Sequence, residues 1–329
     1  MEKNASYCLF KTEKKRVVWE VTHRCNYSCV HCCSRAGEIE EAELDTQKTY
    51  EVLRELAEND TEEIYFSGGE PFIRDDMFDI LKYARELGIL ANVSTNGSFL
   101  TEELAMRLKD IDVNLIHISL DSHVKEDFNS FRGGDYYTKT LDAIRHAKEA
   151  GLYVRVGAVI WKKNASHIKE MIDFFSKMGV DEVVFNWLIA AGRYQDNKEM
   201  GVPLSKFEDT IKLIHDYMSQ YKDIIKVSMH RSEKYYDDGS MCNAGKKILF
   251  ILPDGRISPC SWLAKLDHHL ITKDSLMNSS LNDLLESSTF KNWEKFVNDR
   301  AKKCKAGCPA ICLERTGDYC SEDPLVIKQ

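Results

Sequence analysis

Two rhythms of apolar and polar positions alternate over the first two-thirds of the chain. Six short runs are mostly rich in β-branched or aromatic residues: VVWEV (17–21), EEIYF (62–66), LANVS (90–94), NLIHIS (114–119), LYVRVGAVI (152–160) and EVVFNW (182–187). Each predicts a strand. Between them, helical patterns cover 46–59, 76–87, 101–110, 138–150 and 165–178. Asp45, Thr101 and Ser166 stand where N-caps or first-turn residues belong, and Gly88, Gly151 and Gly179 stand where helices stop. Strands alternating with helices imply right-handed βαβ units and a parallel sheet. In such folds the site lies at the C-terminal ends of the strands.

After residue 204 the rhythm changes. A helical stretch (204–220) leads into HRSEKYYDDG (230–239), basic and aromatic, and then into KILFILPDGRISPC (247–260). PDG between two apolar runs is a turn signal, so this segment predicts a β-hairpin. Another helical stretch (281–297) precedes a cysteine-rich tail. The change of pattern sets a boundary near 230 and divides the chain into 1–230 and 231–329.

The 329 residues allow one large domain, or one large and one small. Hydrophobic content of 43% and charged content of 30% fit a globular fold with a substantial core. The longest apolar runs are short, which argues against a membrane span. The first fifteen residues lack a signal-peptide core, so the expected location is cytoplasmic. A net charge of −8 argues against general nucleic-acid binding.

Eleven cysteines is a high count for a chain expected in a reducing compartment, where clustered thiols more often bind metal or do redox chemistry. Cys8 stands alone. Cys25, Cys29, Cys32 and Cys33 form one group just after the first strand. Cys242, Cys260, Cys304, Cys308, Cys312 and Cys320 form another near the end. The first group reads C-x3-C-x2-C. Three thiolates in one loop can hold three irons of a cubane and leave the fourth open to a small molecule. The competing readings are zinc or a cluster of packed thiols. Structural zinc usually takes four ligands, and the paired C-x2-C knuckles are missing here.

CNYSCVHC (25–32) after strand one and SGGEP (67–71) after strand two resemble the radical S-adenosylmethionine (SAM) superfamily. His31 fills the family's aromatic position before the third cysteine. The resemblance spans about 17–230 and implies an α/β fold, a partial (β/α)6 barrel. It further implies that Cys25, Cys29 and Cys32 hold a 4Fe–4S cluster whose fourth iron is chelated by SAM. Reduction would then release a 5′-deoxyadenosyl radical that takes a hydrogen atom from a substrate. Ser67, Gly68, Gly69 and Glu70 would bind the SAM amino group, and Ser119 and Asp121 its ribose. Arg155 would pair with the SAM carboxylate, although a structural arginine is an equal reading. STNG (94–97) and Asn186 are weaker candidates, and Arg193 a looser one. Cys33 reads as a packing residue beside the cluster. His23, His268 and His269 read as solvated or packing residues; Tyr235, Tyr236 and Trp262 read as core or surface packing residues, with the wall of a substrate pocket as the other reading.

The second group resembles the SPASM and twitch extensions of radical SAM enzymes, which carry auxiliary clusters. The matching residues are Cys242, Gly245, PDG (253–255), Pro259 and Cys260, followed by the tail CKAGCPAICLERTGDYC (304–320). A full SPASM domain has seven cysteines with C-x2-C-x5-C-x3-C in the tail. This chain has six, spaced C-x3-C-x3-C-x7-C. One auxiliary 4Fe–4S cluster is therefore expected, with Cys242, Cys260, Cys304 and Cys308 as ligands. Cys312 and Cys320 would complete a second cluster if there is one. Structural zinc is the alternative.

By analogy the layout implies a radical SAM enzyme that modifies a ribosomally made peptide, by crosslinking or at Cα. The expected partners are a peptide, an electron donor such as flavodoxin or ferredoxin, and a separate leader-binding protein, because only 24 residues precede Cys25. Two other readings stay open. One is a radical SAM enzyme acting on a small metabolite or cofactor precursor of a haem, quinone or molybdenum-cofactor pathway. The other is a non-catalytic zinc protein.

Overall fold

The computed structural model describes residues 15–38, 42–229, 242–303 and 308–321. Cys8, Cys304, Tyr235 and Tyr236 lie outside them. The six expected strands form as β1 (Lys15–Glu20), β2 (Thr61–Ser67), β3 (Leu90–Thr95), β4 (Leu115–Ser119), β5 (Val154–Ile160) and β6 (Glu182–Trp187). The helices between them are α1 (Thr46–Glu58), α2 (Met77–Glu86), α3 (Glu102–Asp110), α4 (Lys125–Arg132), α5 (Tyr137–Glu149) and α6 (Ile168–Lys177). Then come α7 (Leu204–Gln220), β7 (Lys226–Met229), β8 (Ile248–Ile251), β9 (Ile257–Ser258), α8 (Ser261–Leu266), α9 (Leu281–Leu285), α10 (Ser288–Lys303) and α11 (Pro309–Thr316).

Local chemistry explains the helix ends. The Asp45 side chain accepts from Lys48 N, and Thr101 Oγ1 accepts from Leu104 N. Ser166 does not cap: α6 starts two residues later, after His167, which makes no capping side-chain bond. Gly88, Gly151 and Gly179 all adopt positive φ at helix ends, as their positions suggest. α6 shows the packing logic. Ile168, Met171, Ile172 and Phe175 lie on one face and are fully buried, each worth roughly 1.5–3 kcal/mol of transfer free energy.

The strands join in one sheet of order β7-β6-β5-β4-β3-β2-β1-β8-β9. All pairs from β7 to β8 are parallel. β8 and β9 form the expected hairpin, antiparallel, with Phe250 opposite Ser258 and Ile251 opposite Ile257. The hairpin does not stand apart from the first domain. β8 runs parallel to β1, with Arg16 opposite Ile248 and Trp19 opposite Ile251, so the C-terminal segment extends the same sheet.

Alternate residues of each strand share one face. Toward the strand beginnings this face carries a buried polar layer. Arg16 pairs with Glu63 at 2.5 Å, Asn92 donates to Glu63 at 3.1 Å, and Asn114 donates to Asn92 at 2.7 Å. Arg155 pairs with Glu182 at 2.8 Å, and Lys226 reaches the same carboxylate at 3.4 Å. Toward the strand ends the face carries Glu20, Ser67, Ser94, Ser119, Val159 and Asn186. All six line a single open cleft of about 310 Å³. Six flat strands would span roughly 24 Å at the usual spacing, so a cleft touched by all of them requires a curved sheet. Among the described residues no helix is long and apolar enough to cross a membrane.

Candidate active site

The loop between β1 and α1 carries Cys25, Cys29, Cys32 and Cys33, and it is held from every side. From below, Gly69 N donates to Thr22 O and Glu70 N to Arg24 O, both at 2.9 Å. Only glycine fits at 69, because a Cβ there would lie 2.1 Å from the Arg24 carbonyl oxygen. From one flank, Val30 N donates to Phe131 O at 3.2 Å. His31 stacks on Phe131 at 3.8 Å between centroids, and Phe131 stacks on Trp161 at 4.5 Å. Burial in that stack lowers the His31 imidazole to about 3, so it stays neutral. From the other flank, the segment after β6 folds over the loop. Arg193 N donates to Cys32 O, and its Nε to Cys29 O, both at 2.8 Å. Its Nη1 pairs with Glu38 at 2.6 Å.

Cys25, Cys29 and Cys32 all line the cleft, and so does Cys33. Burial raises the Cys25 thiol to about 11 and also raises Cys29. A thiol held neutral in this way ionises when a metal displaces its proton. Among the described residues no group of three or more His, Cys, Asp or Glu could hold a metal ion. A cubane distributes its thiolates over separate irons. Three cysteines on one cavity wall fit that donor set, and Cys25, Cys29 and Cys32 are the residues that would hold it.

The other expected site residues separate into two groups. Ser67, Gly68, Gly69 and Ser119 line the cleft, together with Ser94, Thr95, Asn96 and Asn186, which sequence reasoning ranked lower. Glu70, Asp121 and Arg155 do not line it. Glu70 is fully buried behind the loop and accepts from Thr95 Oγ1 at 2.8 Å, Asn96 N at 2.7 Å and Phe72 N at 3.2 Å. It therefore ties the ends of β2 and β3 together. Burial raises its carboxyl to about 7. Asp121 is fully buried too. It pairs with Arg132 at 2.6 Å and accepts from Val159 N at 2.9 Å. A ribose-binding role does not match that placement, because the side chain is fully buried and does not line the cleft. Arg155 lies near the start of β5, in the buried polar layer with Glu182. The expected pairing with a SAM carboxylate is corrected accordingly: Arg155 shares the inward face, but at the wrong end of its strand.

Sequence reasoning passed over Arg132, which lines the cleft with Nη1 3.8 Å from Cys29 Sγ. It closes α4, a helix the apolar pattern did not reveal. The available signal was Glu126 and Asp127 in a first turn, with a glycine stop at Gly133. Glu20 and Trp262 also line the cleft. Lys265 of α8 pairs with Glu20 at 2.7 Å, which brings the C-terminal segment to the cleft edge. The histidine readings stand close to expectation: His23 is buried, and His268 and His269 form a short 3₁₀ turn.

In the C-terminal group, Cys260 and Cys308 occupy the N-cap positions of α8 and α11, which pack together. Cys312 is fully buried in α11 with Arg300 Nη2 3.6 Å from its sulfur. Cys242 is half-buried and Cys320 exposed. Arg300 also donates to Tyr319 O at 2.9 Å, and Tyr319 donates to Asp267 at 2.6 Å, which fastens the tail to the segment after α8.

Comparison with known proteins agrees with this arrangement. Residues 19–175 match the radical SAM superfamily, and residues 242–309 match SPASM, an iron–sulfur cluster-binding domain. The chain is 34% identical over 206 residues to the Fe-coproporphyrin III synthase of Methanosarcina barkeri. That match covers 62% of this chain, which spans about half (51%) of that protein's length. It is 24% identical to the AdoMet-dependent heme synthase of the same organism, over 94% of this chain and 95% of that one. It is 25% identical to the mycofactocin maturase MftC of Mycobacterium tuberculosis, over 89% and 78%. Streptococcus suis SuiB bound to S-adenosylmethionine superposes with a TM-score of 0.78 at 17% identity, covering 95% of this chain and 77% of that one. The two matched families imply 4Fe–4S clusters and SAM as cofactors. With its cysteine loop, its α/β sheet and its C-terminal cysteines in place, the chain belongs to the radical SAM superfamily, as an enzyme with a SPASM domain.

Proposed function

We propose that this enzyme abstracts a hydrogen atom from a peptide and that the product is a crosslinked or Cα-modified ribosomal peptide. Bound cluster and SAM supply the 5′-deoxyadenosyl radical. The chain's own residues do the rest. Ser67, Gly68, Gly69 and Ser119 present backbone and hydroxyl groups to SAM, and the Arg193 segment holds the cysteine loop rigid.

The observation that carries the peptide reading is the charge of the cleft. Among the described lining residues, the cations are Arg132 and Arg193, and each is already paired with a carboxylate. The rest of the lining is mostly hydroxyl, amide, thiol and aromatic. A peptide backbone is served by such groups, whereas a porphyrin with several carboxylates calls for basic partners. The similarity to MftC, a maturase, and the fold shared with SuiB, solved with its precursor peptide SuiA, support the same reading. A low-potential electron donor of the flavodoxin or ferredoxin kind belongs to this proposal, as does a separate protein for leader recognition.

A second reading has its own support. The 34% identity to a Fe-coproporphyrin III synthase and the full-length similarity to a heme synthase favour a tetrapyrrole precursor. The non-catalytic zinc reading is set aside by membership of an enzyme family.

The test uses anaerobically reconstituted enzyme with a reductant and SAM. One arm contains synthetic peptides encoded by short reading frames beside the gene, and the other contains Fe-coproporphyrin III. The expected result is peptide-dependent 5′-deoxyadenosine, with loss of two hydrogens from the peptide or deuterium transfer from its Cα. Turnover with the porphyrin alone would refute the peptide reading. The Cys25→Ala, Cys29→Ala, Cys32→Ala triple variant should lose SAM cleavage and about four irons.

A further inference from the structure

Arg132 is a cation held in place for a reason that substrate binding does not supply. Its side chain is 10% exposed and that of Asp121 is 0% exposed. Nε of Arg132 donates to Asp121 Oδ2 at 2.6 Å, while Nη1 points the other way, toward Cys29 Sγ at 3.8 Å. Asp121 is itself fixed. Its Oδ1 accepts from Val159 N at 2.9 Å, and its carbonyl accepts from Asn164 Nδ2 at 2.7 Å. The Phe128 ring lies under the guanidinium at 5.9 Å. The order of groups is thus sulfur, cation, carboxylate. The positive member faces the cysteine loop, and its counter-charge is turned away from it.

Reduction of a thiolate-bound cluster adds one negative charge. A fixed cation near a ligand sulfur favours the reduced form, and so does an N–H···S hydrogen bond. Burial strengthens both, because little water screens the charge. We propose that Arg132 is a positioning residue that raises the reduction potential of the cluster held by Cys25, Cys29 and Cys32. It does so through a hydrogen bond to the Cys29 sulfur and through its buried charge. Asp121 is the second half of this device, since it aims the guanidinium. The inference rests on the assignment of those three cysteines as ligands.

The test is an EPR-monitored redox titration of reconstituted holoenzyme. The signal that changes on adding SAM identifies the cluster with the open iron. Arg132→Met should make reduction at least tenfold less favourable, which is about 59 mV for one electron. Arg132→Lys keeps the charge without the planar fork and should recover part of that shift. The double variant Arg132→Met, Asp121→Asn leaves no unpaired buried carboxylate. It should fold with a full iron complement and still titrate low.

A double variant with full iron and the wild-type potential would overturn the proposal and leave Arg132 as a structural partner of Asp121. The same conclusion follows if Arg132→Met shifts low but the double variant returns to wild type, because the shift then reports the bared carboxylate. The ligand assignment fails separately, if the triple cysteine variant retains the SAM-responsive signal. Should Arg132→Met not fold, the double variant and Arg132→Lys decide between the same outcomes.

Discussion

Gly192 is the sharpest test of how the cysteine loop is held. It adopts φ +58, and a Cβ there would lie 2.3 Å from the Cys32 carbonyl oxygen and 2.5 Å from the Cys33 carbonyl group. Gly192→Ala therefore carries two penalties. Left-handed backbone with a side chain costs about 1–2 kcal/mol. Forcing backbone carbonyls out of a packed contact adds about 1–3 kcal/mol. Gly179 isolates the first penalty, since its φ is +72 and an added Cβ meets nothing within 4 Å. At roughly 2 °C per kcal/mol for a chain of this size, Gly179→Ala should lower the thermal midpoint by about 2–4 °C and Gly192→Ala by about 4–10 °C. The second readout is iron per chain after reconstitution. It should fall for Gly192→Ala, whose displaced atoms belong to Cys32 and Cys33, and hold for Gly179→Ala. Equal midpoints with full iron in both variants would show that the loop relaxes freely around the methyl group. The account of a rigid clamp would then be wrong.

Two further predictions concern the surroundings of that loop. Glu70 is buried, with its carboxyl raised from 4.5 to about 7. Its protonated form is the one the fold favours, so its contribution is full below about 4.5 and is lost as pH rises through about 7, by at most about 3 kcal/mol. The wild-type thermal midpoint should therefore fall between about pH 4.5 and 7 relative to Glu70→Gln and run parallel to it above about pH 8; parallel profiles throughout would contradict this. Arg193→Ala removes the donors to Cys29 O and Ala36 O and the pair with Glu38. Iron should then pass to a chelator several-fold faster with the circular dichroism unchanged, and a wild-type rate would argue against a clamp.

What could be read from the sequence was what local pattern encodes. The strands from β1 to β6 announced themselves by short β-branched runs, and the caps Asp45 and Thr101 by chemistry that acts within four residues. Face was legible for Arg155, but its partner was not. Periodicity places it on the inward side, and the run 152–160 already ends where β5 ends, at Ile160; what the pattern did not show was Glu182, the partner on β6 that holds Arg155 in the buried layer. Glu70 and Asp121 were recognised as special carboxylates, yet their partners come from elsewhere in the chain: Thr95 and Asn96 at the end of β3, and Arg132 at the end of α4. Without those partners a buried structural acid looks the same as an exposed ligand. α4 escaped notice because its two phenylalanines alone, Phe128 and Phe131, mark too narrow an apolar stripe. The parallel pairing of β8 with β1 has no local signature at all.

That pairing governs when the molecule can be completed. β1 leaves the ribosome well before β8, and β2 can join it on one side soon afterwards. Its other edge waits for Leu249, Phe250 and Ile251, the partners of Val17, Val18 and Trp19. At ordinary rates of synthesis that wait is about 10 to 50 s. Throughout it the nascent chain presents an open strand edge beside the loop that must acquire iron. Cluster insertion before residue 250 emerges would meet a loop whose β1 support is half built. Later insertion would meet the finished sheet. The timing of iron delivery relative to translation is therefore part of how this enzyme is made.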